Sequence, residues 1–195
     1  MSYGEPDELL DRDGIIELFI DLEESGITPD DPRCYHEAGM RLKKVRHLDL
    51  ADMREEDITK ALQLFDIFET TVREIDLRKC EGVGAFGYHN LARRVLFCRQ
   101  LRVLSLDVEM LPFLIRFKWL LACFKLKKVV IDIPRSYNGL YKLQEARDIS
   151  QFIRSLGSVG HLEFGRNYLV HPSLFPQLGT ISSLKVLSTI SQTVQ

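Results

Sequence analysis

One spacing recurs along the chain and narrows what it can fold into. Three apolar residues placed apolar-x-x-apolar-x-apolar occur at Val45-Leu48-Leu50, Val72-Ile75-Leu77, Leu101-Leu104-Leu106, Leu126-Val129-Ile131 and Val159-Leu162-Phe164, with a frayed sixth copy at Leu184-Leu187. The last two members stand two residues apart, so they point to the same face of an extended strand. Successive copies start 27, 29, 25, 33 and 25 residues apart, within the range of stacked repeat units. Because 45% of the chain is hydrophobic, the bare triplet arises by chance at about one position in eleven. The segments between copies therefore have to support it.

Each gap but the last carries a helical signal. In "EEDITKALQLFDIF" the residues Ile58, Ala61, Leu62 and Phe65 make one apolar stripe, with Asp52 and Glu55 expected to cap its start. The next gap, "YHNLARRVLF", supplies Leu91, Val95 and Leu96. Pro112 is placed to open a third helix, continued by Leu114, Phe117, Leu121 and Phe124. The fourth carries Ala146, Ile149, Phe152, Ile153 and Leu156, whereas "VHPSLFPQLGT" holds two prolines and suits a single turn. Strand and helix thus alternate, the pattern of an α/β chain with a parallel sheet.

These residues resemble the leucine-rich repeat, with unit lengths closest to the ribonuclease-inhibitor-like form. Two copies continue as that family does: "IDLRKC" puts Cys80, and "LEFGRN" puts Asn167, where a side chain bonds to backbone in the turn leaving the strand. Other copies depart, with Met53 and Glu109 at that place and no equivalent after Ile133. The resemblance covers about residues 41 to 190. It implies a solenoid of about five to six repeats over residues 41–195, with a concave parallel sheet and outer helices. It further implies a non-catalytic scaffold or protein-interaction module with no cofactor.

Ahead of the repeats, residues 1–40 are expected to form an acidic helical cap. Residues 1 to 31 hold eleven Asp and Glu against Arg12 alone, a net of −10, so the remaining 164 residues carry +8. Ile15, Leu18, Phe19 and Leu22 form an apolar stripe opposite those acids. Such a helix is either a cover for the first repeat or a handle for a basic partner. "PDELL" with "IIELFIDL" also resembles the opening of an F-box, as in substrate-recognition subunits of ubiquitin ligases. No tryptophan or second helix follows, since "TPDDPRCYHEAG" reads as loop. A regulator of an enzyme or GTPase is a third reading.

The glycines Gly82, Gly84 and Gly87 spell G-x-G-x-x-G, and Asp107 lies twenty residues further on, as in a dinucleotide-binding enzyme. In that fold the first glycine follows the strand almost directly, whereas here "RKCE" intervenes after Leu77. The five histidines show no H-x-x-x-H spacing, Cys34, Cys80, Cys98 and Cys123 show no C-x-x-C pairing, and neither a G-x-S-x-G elbow nor a P-loop is present. No metal or catalytic set is assigned, and Cys34 beside His36-Glu37 reads as surface or cap. "MLPFLIRFKWLLACF" is interrupted by Arg116 and Lys118, against a membrane span, and "MSYGEPDELLDRD" lacks a signal-peptide pattern. Together these favour an intracellular, cytoplasmic or nuclear protein.

A strand with this triplet turns its remaining side chains to the opposite face. The candidate protein-binding set is therefore His47, Asp49, Glu74, Asp76, Arg78, Ser105, Asp107, Lys128, Asp132, His161 and Glu163, expected to be exposed in adjacent ranks. Its acidic first ranks call for a partner with a basic or mixed-charge surface. Basic residues Arg41, Lys43, Lys44, Arg99, Arg102, Lys125, Lys127 and Lys128 cluster instead where strands begin, with Trp119 and Phe124 nearby. They read first as offsets to helix dipoles, and a pI near 6.2 argues against nucleic acid.

Overall fold

The computed structural model describes residues 8–28, 31–80, 83–132, 142–165 and 186–189. The chain divides into two units, Met1–Asp76 with Cys80–Gln100, and Leu77–Lys79 with Leu101–Gln195. Both are α/β, with parallel strands and helices between them.

In the first unit the order is β1 (Glu8–Leu10), α1 (Arg12–Glu24), α2 (Pro32–Leu42), β2 (Val45–Asp49), α3 (Glu55–Phe68), β3 (Glu74–Leu77, its last residue in the second unit) and α4 (Ala85–Val95). β1 pairs with β2 and β2 with β3, both parallel, setting Leu10 beside Leu48 and Leu48 beside Ile75. In the second unit β4 (Val103–Asp107) leads through a 3₁₀ turn (Val108–Met110) into α5 (Leu111–Ile115) and α6 (Lys118–Leu121). There follow β5 (Lys125–Asp132), α7 (Lys142–Ser155), β6 (Ser158–Phe164) and β7 (Val186–Thr189). Here too each strand pairs in parallel with the next, Leu104 beside Val129, Val129 beside Leu162 and Leu162 beside Leu187.

Parallel neighbours that follow in chain order need a crossover, and right-handed crossovers in one direction leave all their helices on one face. Accordingly α3 packs on α2 and α4 in the first unit, and α7 packs on α5 and α6 in the second. The apolar triads face those helices. All fifteen residues of the five complete triplets are at most 3% exposed, so the sheets and helices share one continuous apolar layer within each unit.

The turns leaving β2 and β3 share a backbone form. Asp52 and Lys79, each two residues past the last apolar member of its triplet, both have φ 59°. The following residues, Met53 and Cys80, turn inward and are buried. The Cys80 thiol donates to the Leu50 carbonyl at 3.3 Å. Different side chains thus occupy one repeated turn.

Several expectations are corrected. Residues 32–42 are not loop but α2: Pro32 sits in its first turn, and the Asp31 carboxylate accepts the Arg33 N–H at 2.8 Å, a strong start signal. Cys34, Ala38 and Leu42 then share its buried face. Ahead of α1 lies a strand, β1, so the acidic segment contributes to the sheet as well as covering it. The third helix is broken in two, because Phe117 leaves helical geometry (φ −106°, ψ 36°). α3 starts at Glu55 after Arg54 rather than at Asp52, and buries Leu64 and Phe68 where Leu62 had been expected. "VHPSLFPQLGT", Asn167 and Leu184 lie outside the described residues.

Candidate protein-interaction face

On the side of each sheet away from the triads, backbone register sets the candidate side chains in rows. In the first unit His47 stands beside Glu74, and Asp49 beside Asp76. His47 Nδ1 lies 3.8 Å from Glu74 Oε2, and both side chains are open to solvent. In the second unit Lys128 stands beside His161, Ser105 beside Val130 and Val130 beside Glu163, and Asp107 beside Asp132. Glu163 Oε2 accepts from Lys128 Nζ at 2.8 Å and lies 3.9 Å from His161 Nε2. The rows exist as the period-two argument requires.

Exposure does not follow for every member. Asp76 (9%), Ser105 (8%) and Asp107 (4%) are buried, contrary to expectation. A short side chain on a twisted sheet lies below the level of its longer neighbours, and the alternation rule says nothing about that height. Asp107 has a further reason: its Oδ2 accepts the Lys79 N–H at 2.6 Å, holding the left-handed turn that leaves β3. Asp49 acts likewise within its own turn, its Oδ1 accepting the Ala51 N–H at 2.9 Å. These carboxylates therefore have structural work. The remaining candidates, His47, Asp49, Glu74, Arg78, Lys128, Asp132, His161 and Glu163, are all half-buried rather than fully exposed.

Two apolar residues on this face escaped the sequence reading. Leu9 of β1 stands beside His47 and is 53% exposed, and Val130 is buried between Ser105 and Glu163. A three-residue strand is too short to show alternation, which is why Leu9 gave no signal. Val130 occupies the one candidate row position where β5 carries an apolar residue instead of a polar one.

Beside the described glycines of the 82–87 motif stands a carboxylate. Gly82 lies outside the described residues, and Gly84 caps α4. A side-chain carbon built on Gly84 or Gly87 would lie 3.4 or 3.8 Å from Glu55 Oε1, so a carboxylate sits along the first turn of α4, where a phosphate would have to approach. Gly87 is instead required by packing, since a side-chain carbon there would fall 2.9 Å from Val83 Cγ1. Asp107, the would-be ribose ligand, is committed to Lys79.

The thiols are separated. Cys34, Cys80 and Cys98 are buried and Cys123 is exposed. Burial, with a smaller push from Glu69, raises Cys98 to about 12, and burial followed by Asp31 also raises Cys34. Among the described residues no three His, Cys, Asp or Glu side chains gather as metal ligands would, and no helix is long and apolar enough to cross a membrane. The chain matches no protein-family model and no curated protein sequence.

Proposed function

We propose that the chain is a leucine-rich-repeat-like, non-catalytic interaction module that binds a protein partner on the sheet face turned away from its helices. The observation that carries this reading is the register: polar side chains of successive strands stand side by side, His47 with Glu74 and Lys128 with His161, on a face that the apolar core does not use. Side chains there that are neither buried nor bonded to a turn are free to vary at little cost to folding. The repeated turns at Asp52 and Lys79 and the inward Cys80 support the repeat-family part of the proposal. With Glu74 47% exposed and Asp49 beside its buried neighbour Asp76, a basic or mixed-charge surface is the expected partner, and its association weakens as salt rises.

Photo-cross-linking tests this directly. A photoreactive residue placed at Glu74 should capture a specific partner in native cells, and Glu74→Lys should lose that partner while retaining the circular dichroism and melting behaviour of the parent. Capture from Lys127 but not from Glu74 would overturn the assignment.

A further inference from the structure

The net charge of −2 conceals a segregation by unit. The second unit holds fourteen Lys and Arg against six Asp and Glu, a net of +8, and the first holds twelve against twenty-two, a net of −10. The pI of the whole chain is therefore a poor guide to what the second unit binds. In the first, Arg12, Arg33, Arg41 and Arg94 each pair with an aspartate, and among the described residues Arg46, Arg73, Arg93 and Arg99 have no carboxylate partner. In the second, Lys128 pairs with Glu163, whereas among the described residues Arg102, Lys118, Lys125, Lys127 and Arg154 have no carboxylate partner.

Several of these cations gather where the strands of the second unit begin. The Arg102 carbonyl accepts the Lys127 N–H at 2.7 Å, and the Arg102 guanidinium reaches the Lys125 carbonyl at 3.5 Å, so these residues are adjacent. Ser158, just past the end of α7 and Arg154, donates to the Phe124 carbonyl at 3.1 Å. All four cations are exposed or nearly so. Trp119 stands on α6, and the chain enters β5 four residues after that helix ends at Leu121, so the helix carrying Trp119 leads into the same edge. The indole is 66% exposed. Arg154, in the last turn of α7, offsets that helix's dipole, but dipole effects fade within one turn. Lys125 and Lys127 stand on a strand, four and six residues beyond Leu121, and offset none.

We propose that this edge binds single-stranded nucleic acid, with Arg102, Lys125 and Lys127 along the phosphates and Trp119 as a stacking platform for a base. Exposed cations without carboxylate partners, together with an exposed flat ring on the element that leads into them, are the parts such sites use. An acidic peptide would use the charges and leave the indole without a role. A membrane surface would need more apolar area, and Trp119 is the lone large exposed hydrophobic among the described residues of this unit.

Trp119 is the only tryptophan in the chain, so the full-length protein carries its own reporter. Titration with a uridine oligonucleotide of about twelve residues at low salt should quench its fluorescence saturably. The log–log salt dependence should have a slope of about −0.7 per phosphate neutralised. By anisotropy of the labelled oligonucleotide, Lys125→Glu with Lys127→Glu should weaken binding by about tenfold or more and flatten that slope. Trp119→Ala should weaken it by about fivefold or more with the slope unchanged, and Trp119→Phe should restore most of the loss. All these side chains are exposed, and circular dichroism checks that the variants fold. Absence of quenching at low salt, equal quenching by poly-glutamate, binding only to phosphatidylserine vesicles, or affinity indifferent to Trp119 would each overturn the proposal.

Discussion

Single side chains hold the turns of this chain, and Asp107 is the clearest case. It is 4% exposed, and its carboxylate receives the Lys79 N–H from a left-handed turn. A hydrogen bond to a charged acceptor contributes about 1.5–3 kcal/mol. Asp107→Ala should therefore lower the melting temperature by about 3–12 °C, while Asp107→Asn retains most of it; an unchanged midpoint in thermal denaturation would deny the turn this anchor. The thiols give a second residue-level test. Cys98, raised from 9.0 to about 12 by burial and then by Glu69, stays neutral near pH 9, where its unfolded counterpart is half ionised. Its contribution to stability is complete below pH 9.0 and is lost as pH rises through about 12. Iodoacetamide should label exposed Cys123 in the native protein and reach Cys98 only after denaturation, and mass spectrometry of digests would read both.

At the scale of elements, α1 tests whether the acidic segment is cover or handle. Ile15, Leu18, Phe19 and Leu22 are at most 6% exposed, each worth about 1.5–3 kcal/mol of burial. Arg12 of the same helix pairs at 2.8 Å with buried Asp57 at the start of α3. Their summed loss rivals the whole net stability of a typical domain. Deleting residues 1–31 should leave a chain that aggregates or shows no cooperative thermal transition; a truncated protein with the parent's midpoint would make α1 a detachable handle. Elements were legible where a periodic signal was long. The triplets and the stripes of α1, α4 and α7 could be read because burial imposes periods of two and 3.6. β1 is three residues long and offers no period, while α2 was hidden behind a run of polar residues despite its Asp-Pro start. The break at Phe117 lies inside an unbroken apolar stripe. Gly157 was equally silent, although a side-chain carbon there would fall 2.2 Å from the Ala122 carbonyl oxygen, a constraint created only when α6 and α7 meet. The candidate face was legible in its rows but not in its depth, since the height of Asp76 or Ser105 depends on neighbours far away in the chain.

For the molecule as a whole, the segregation of charge has a consequence that net charge alone would not suggest. A protein of 195 residues with a net of −2 and evenly mixed charges would bind an anion exchanger feebly near pH 7 and pass through a cation exchanger. Here −10 resides in one unit and +8 in the other, and screening at low ionic strength extends only tens of ångströms, about 30 Å at 0.01 M. An exchanger of either sign therefore meets a unit of opposite net charge. The full-length protein should be retained by both kinds of exchanger at about 0.01 M salt and elute from both well before 1 M, where the screening length is about 3 Å. Lys125→Glu with Lys127→Glu should advance elution from the cation exchanger and leave the anion exchanger unchanged or slightly stronger. Asp13→Lys with Glu17→Lys, on the exposed stripe of α1, should do the reverse. Flow-through on the cation exchanger at low salt, by the parent protein, would show that the basic edge is neutralised within the molecule and is not presented to solvent.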